Sequence, residues 1–212
     1  MRTALFTILI LVFTTNFLSQ NLSDQNTISK EILAKVSDNY QQYSSIKFTF
    51  TLNINSQDFN EEQKGFAIIK DDKFYYETAE RKVICDGKAV WTVISEDDEC
   101  YIDNLSDLDN TINPSEIFTI WKTGFNYKYV KKEDNNHYIK MFPQNPNKSK
   151  YHTIIMKIDE NSNTIKQSTV KTKDGVSIKL NIADLKGNPV ISINTFTWAE
   201  SKYPNIDIID NR

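Results

Sequence analysis

The sequence predicts a mainly β protein of one domain: an antiparallel sandwich or barrel of about ten or eleven short strands with two helices. Three observations predict it. Runs of β-branched and aromatic residues alternate with polar ones at a period of two, which puts successive side chains on opposite faces of a sheet. Turn signals recur every eight to twelve residues or so, with no parallel crossover between them. No linker or composition shift divides the 212 residues. Apolar residues make up 39% and charged residues 25%, a globular balance. Five glycines are few for so much β structure, so most turns must use the plentiful Asn and Asp.

The chain opens with Arg2, an apolar run from Ala4 to Phe13 and a polar exit from Thr14 to Gln20. That pattern reads as a secretory signal over residues 1–20, too short for a membrane span, with cleavage near Ser19 or Gln20. No cysteine stands near the exit, so the expected product is residues 21–212, soluble and without a lipid anchor. Its loss removes only Arg2 among the charged residues and leaves 24 basic against 28 acidic, a net charge of −4. Nothing in that balance suggests a nucleic-acid partner, whose binding leans on clustered Lys and Arg.

A helix follows over Ser29–Tyr43, where Ile28, Ile32, Leu33, Val36, Tyr40 and Tyr43 form one stripe and Thr27 or Ser29 suits a cap. The period then changes to two: Ile46, Phe48, Phe50, Leu52 and Ile54 alternate with Lys47, Thr49, Thr51 and Asn53. Beyond the polar turn SQDFNEEQK lies a meander from Gly65 to Asp103, in which Phe66, Ile68, Phe74, Tyr76, Val83, Cys85, Ala89, Trp91 and Val93 read as one aromatic-rich wall. Asp86-Gly87-Lys88 is a hairpin turn within it.

After Asp103 the segment NPSEIFTIWKTGF suggests a short helix, with Asn113 as cap, Pro114 in the first position and Glu116 as the capping-box acid. Ile117, Phe118, Ile120, Trp121 and Phe125 leave it almost no polar face, so it must be covered, for example as a lid on an open sheet. The remainder reads as strands: NYKYV, HYIKMF, YHTIIMKID, TIKQSTVKT, VSIKLNIADL and VISINTFTW. Ile154, Met156 and Ile158 share one face, as do Val176, Ile178, Leu180 and Ile182.

Signatures of catalysis are sparse. His137 and His152 each sit in an alternating strand, where a sheet-surface role is the simple reading. No zinc, nucleophile-elbow or phosphate-loop motif is present. The acidic clusters Glu96-Asp97-Asp98 and Asp107-Leu108-Asp109 lack calcium-loop spacing and read as solvated turns. Cys85 and Cys100, the only cysteines, fall on strands separated by a third. An oxidising compartment suggests one disulfide between them. The meander argues against it, since two strand spacings are about 9–10 Å and the Cα limit for a disulfide is roughly 7 Å. Twelve Phe, ten Tyr and three Trp are what stands out.

Several short motifs, taken in order, resemble the periplasmic outer-membrane lipoprotein carrier family, the LolA-like proteins. The N-terminal helix ends in Tyr43-Ser44-Ser45-Ile46 and runs into the Phe48/Phe50 strand. Gly65 begins a strand that turns into Lys73-Phe74-Tyr75-Tyr76-Glu77, and Asp86-Gly87-Lys88 precedes Trp91. Asn113-Pro114 with Ile117-Phe118, Phe142-Pro143, Phe196-Thr197-Trp198, Tyr203-Pro204-Asn205 and Asp210-Asn211-Arg212 complete the likeness, which spans about residues 28–212.

The resemblance implies an unclosed antiparallel half-barrel whose mouth is covered by helices, and a cavity for lipoprotein acyl chains. It implies a monomeric periplasmic carrier without cofactor, metal or enzymatic activity. Such a carrier takes lipoproteins from an inner-membrane ABC transporter to an outer-membrane acceptor. On that basis Phe48, Phe50, Leu52, Phe66, Ile68, Phe74, Tyr76 and Trp91 are expected to form the lipid-binding wall. Ile117, Phe118 and Trp121 are expected to form the lid. The chain departs from the family at Lys70-Asp71-Asp72-Lys73, where an arginine and a proline are common, and at Tyr75, often basic. A general carrier or sensor of apolar ligands on the same fold, an envelope-lipid hydrolase, and a purely structural sheet are the other readings.

Overall fold

The computed structural model describes residues 8–108 and 118–212, with side chains from residue 24 onward apart from residue 108. One helix, α1 (Ile8–Gln41), precedes twelve strands. The first six are β1 (Ile46–Asn55), β2 (Asn60–Lys70), β3 (Lys73–Thr78), β4 (Arg81–Cys85), β5 (Ala89–Ile94) and β6 (Glu99–Asn104). They are followed by β7 (Phe125–Glu133), β8 (Asn136–Pro143), β9 (Tyr151–Asp159), β10 (Thr164–Thr172), β11 (Ser177–Gly187) and β12 (Asp207–Asp210). All lie in one unclosed sheet, in the order β12-β6-β5-β4-β3-β2-β1-β11-β10-β9-β8-β7. Two meanders, β1–β6 and β7–β11, are therefore zipped together by the β1–β11 pair.

The local chemistry of the turns explains much of this path. Left-handed backbone is taken by Asp71, Asp98, Asp134, Asn135, Asn163, Asp184 and Asn188, the short polar residues best able to adopt it. At the β4–β5 hairpin, Gly87 has φ 95°. The Asp86 carboxylate there accepts from the Lys88 and Ala89 N–H groups at 2.8 and 2.9 Å.

Three expectations need correction. The first helix does not start at a cap near Ser29: it is continuous from Ile8, and the Ser29 hydroxyl donates back to the Gln25 carbonyl at 2.7 Å. The stretch Val190–Trp198 is no strand, because the left-handed Asn188 and the donor-lacking Pro189 end the ladder. The sheet also contains a parallel pair, β12 with β6. The chain leaves β11 in mid-sheet, crosses the face of β4–β6 with Trp198 and Tyr203, and adds its last strand to the far edge. The short helix expected from Asn113 lies mostly outside the described residues; within them the segment shows a single 3₁₀ turn, Ile120–Lys122. No described helix is long and apolar enough to cross a membrane.

Register sorts the side chains into two apolar layers. On the inner face, one continuous core joins Ile32, Leu33, Val36 and Tyr40 of α1 to Phe48, Ile69, Phe74, Cys85, Ile139, Met141, Ile154, Met156 and Ile158. On the outer face a smaller cluster of Val93, Cys100 and Ile102 is covered by Trp91, Trp198, Tyr203 and Ile206. The cysteines thus occupy different faces as well as non-adjacent strands, and both are free thiols.

Candidate functional site

The inner face is built by cross-strand pairing. Phe48 lies opposite Ala67, Ala67 opposite Tyr76, and Tyr76 opposite Val83. On the other side of β1, Phe50 faces Ile182 and Leu52 faces Leu180. Directly opposed residues share a face, so Phe48, Phe50, Leu52, Phe74 and Tyr76 stand in one apolar field with Ile178, Leu180 and Ile182.

Phe66, Ile68 and Trp91 do not belong to that field. The two-residue Asp71-Asp72 turn pairs Lys70 with Lys73, so Ile69 faces Phe74 and Ile68 faces Tyr75. The same line continues from Tyr75 to Ile84 and from Ile84 to Trp91. The expected row keeps its parity across the β2–β3 and β4–β5 hairpins, where the pairing reverses it. Phe66 instead packs on Tyr75 at a ring separation of 5.7 Å, and Trp91 stacks on Trp198 at 6.4 Å, Trp198 in turn on Tyr203 at 4.9 Å.

Cover over the inner face comes from α1 and from Phe118–Lys122. The Phe118 ring sits 4.5 Å from Tyr40 of the helix and 5.5 Å, edge on, from Phe48 of the sheet. Phe48, Phe50 and Tyr76 continue the chain of rings at 6.4 Å steps. Trp121 is 2% exposed; its indole N–H donates to the Ser37 hydroxyl at 3.3 Å, and its carbonyl accepts from the Tyr127 hydroxyl. Phe118 and Trp121 are therefore brought together with the wall, while Ile117 lies outside the described residues.

Coverage is uneven. Phe48 and Phe74 are 2% and 1% exposed, whereas Phe50, Leu52, Tyr76, Ile178 and Leu180 remain half-buried. The protein's own rings thus pack tightly at one end of the apolar field, and its other end is half-buried among the described residues. An open depression of ≈ 300 Å³ over β1, β2 and β11 is not part of this field: Thr49, Thr51, Lys64, Asn181 and Ala183, which line most of it, alternate with the inner-face Phe50 and Ile182 and so place it on the outer face. It is at the small end of ligand pockets.

Several inner-face residues carry the site without having been singled out as lining: Val36 and Tyr40 of α1, Ile139 and Met141 of β8, and Ile154, Met156 and Ile158 of β9. Alternation in the YHTIIMKID run already marked the last three as one face; what the sequence lacked was the β1–β11 seam that sets them beside the first meander.

Polar chemistry gathers at the rim rather than in the hollow. The Tyr129 hydroxyl and His137 Nδ1 are 3.1 Å apart, and His137 Nε2 lies 3.7 Å from Glu160, which also takes Lys132 at 2.6 Å. Burial, and the positive charges of Lys132 and Lys35, hold the His137 pKa below its ordinary value against the pull of Glu160. Among the described residues no group of His, Cys, Asp and Glu is arranged to hold a metal.

Comparison with solved structures agrees with this architecture. A conserved uncharacterised protein from Thermus thermophilus superposes with a TM-score of 0.55 at 10% identity, over 86% of this chain and 99% of that one. A LolA superfamily protein from Nitrosomonas europaea gives 0.44 at 10% identity, over 80% and 97% of the two chains. The Mycobacterium tuberculosis lipoprotein LppX gives 0.45 at 11% identity, over 76% and 98%. At such identities the first of these speaks for the fold alone. No curated protein matches the chain. The family model described as outer membrane lipoprotein carrier protein LolA matches residues 32–176, and the chain belongs to that family.

Proposed function

We propose that the protein is a periplasmic carrier that shelters the acyl chains of lipoproteins on the inner face of its open sheet and moves them from inner to outer membrane. The observation that carries this reading is the apolar field of Phe50, Leu52, Tyr76, Ile178 and Leu180, which continues from the buried core and is only half-buried among the described residues. Family membership supports it. The signal segment expected at residues 1–20 would deliver the chain to the periplasm. The transporter that loads it and the acceptor that unloads it are those the family implies.

The energetics are compatible with reversible loading. A sixteen-carbon chain costs on the order of 10 kcal/mol to hold in water at about 0.8 kcal/mol per CH₂. Exposing Phe118 and Trp121 to admit it costs about 2–3 kcal/mol each. Bound hydrocarbon can therefore displace the cover, and the returning rings lower the cost of release. A carrier needs no bond chemistry, and the sequence has no nucleophile motif to suggest any.

Photo-crosslinking tests the reading. A crosslinker at Leu52 or Leu180 is expected to capture acylated lipoprotein in cells, and Phe74→Glu or Trp121→Glu is expected to abolish capture while the β signature in circular dichroism persists. Survival of capture in both variants overturns the site. Native mass spectrometry showing free lipid instead of lipoprotein points to a general apolar-ligand carrier. Depletion that leaves lipoproteins normally distributed between the membranes overturns the transport role.

A further inference from the structure

The net acidity of the chain conceals a strongly basic surface. On β7 and β8, Lys128 and Lys140 are direct cross-strand partners. Lys157 of β9 reaches over the Tyr138 ring at 5.8 Å, and Lys131 covers the same ring at 5.0 Å. Lys171 lies opposite Ser177, and Lys179 opposite Thr169 on one side and Asn53 on the other. At the seam, Lys47 and Lys186 are again direct partners. Each of these lysines is adjacent in sequence to an inner-face residue such as Met141, Met156 or Leu180, except Lys131, whose contact with Tyr138 places it with the rest. All therefore project from the outer face.

Lys131 is paired with Glu133 at 2.7 Å. Among the described residues none of the other seven lysines is in an ion pair. Like charges directly opposed in a sheet are destabilising, and here two Lys–Lys pairs are kept. An anionic partner would relieve them.

A second feature adjoins the first. Gly187 pairs with Ile46, the backbone turns at Asn188 (φ 51°), and Val190 and Ile193 then stand 106% and 93% exposed. Few residues separate them from Lys186, so greasy tips and ammonium groups meet at one rim. That combination matches the boundary of an anionic bilayer, where apolar side chains dip between headgroups that attract lysines. The field holds no arginine fork of the kind that reads a fixed carboxylate. Compact, hydrated lysine charges suit a fluid layer of phosphates.

We infer that the outer face of β1 and β7–β11, with the Val190–Ile193 loop at its rim, docks on anionic phospholipid headgroups. This goes beyond carriage of acyl chains, and its test requires no cargo. Purified protein is sedimented with vesicles of phosphatidylcholine alone or containing about one-third phosphatidylglycerol. Binding is expected to the anionic vesicles only, and to be lost as salt rises toward about 1 M. Each lysine removed weakens it about fivefold, so Lys171→Glu with Lys179→Glu lowers affinity about 25-fold or more. Val190→Asp with Ile193→Asp weakens it as well. The glutamine versions serve if the glutamate pair fails to fold. Equal binding to neutral vesicles, or no effect of the lysine changes, overturns the proposal. So does absence of vesicle binding together with salt-sensitive binding to an acidic protein, which gives the face to a protein partner.

Discussion

The Trp121 indole N–H reaches the Ser37 hydroxyl across 3.3 Å, a polar link between the cover and the helix beneath it. Apolar contact of the Phe118 ring with Tyr40 and Phe48 adds to it. A neutral hydrogen bond of this kind adds about 1 kcal/mol. Ser37→Ala therefore loosens the cover without removing a ring. Binding of an environment-sensitive apolar dye is expected to rise several-fold, and Tm to fall by about 2–4 °C. A variant that binds dye like the wild type removes this contact from the latch.

Tyr40 joins helix to sheet in a different way. Its hydroxyl accepts the buried Ile165 N–H at 3.1 Å, at a bulge where β10 slips in register against β9. Burial raises the Tyr40 pKa above its ordinary value, so the phenol stays neutral. Tyr40→Phe keeps the ring against Phe118 but orphans the Ile165 donor, at about 1–3 kcal/mol. Hydrogen exchange at the Ile165 amide is expected to accelerate more than at its neighbours in β10; uniform loss of protection would mean a general rather than local effect.

How far the sequence reveals this molecule differs between levels. Strands such as Ile46–Asn55 and Tyr151–Asp159 were legible because alternation is a local property of a half-buried chain. The turn residues were equally plain, since left-handed backbone selects Asn, Asp and Gly. The two-faced placement was not. Phe66 and Trp91 share numbering parity with neither face as a whole, and only the pairing at the Asp71-Asp72 and Asp86-Gly87 turns sends them outward. The seam between β1 and β11 spans most of the chain length, so nothing local announces it. Burial of Phe118 and Trp121 was legible because a helix-sized stretch without a polar side must be covered by something.

Two glycines make opposite demands. A Cβ on Gly65 would lie 2.0 Å from the Glu77 backbone carbonyl of the neighbouring strand, which cannot retreat without breaking the ladder. A Cβ on Gly187 would meet the Tyr43 ring at the same 2.0 Å, but a side chain at a helix end can rotate away. Overpacking costs typically 1–3 kcal/mol, and Gly65→Ala is expected at or above the top of that range, Gly187→Ala well below it. Urea midpoints of the two variants decide it. Equal destabilisation would show that Tyr43 is as immobile as the sheet backbone.

His137 gives the rim a pH dependence whose sign is fixed by its surroundings. Burial first, then Lys132 and Lys35, depress its folded pKa, with Glu160 opposing them. Its unfolded value is about 6.5. Between the folded and unfolded values the unfolded chain holds more protons, so stability rises with pH across that interval. The contribution is complete above about 6.5 and is lost as pH falls through the folded value. His137→Gln keeps a polar group beside Tyr129 but cannot titrate. The drop in urea midpoint between about pH 7.5 and 5.5 is therefore expected to be smaller in the variant than in the wild type. An identical drop in both proteins would place the acid sensitivity in other groups, and a larger one in the variant would mean that Glu160, not burial, controls the imidazole.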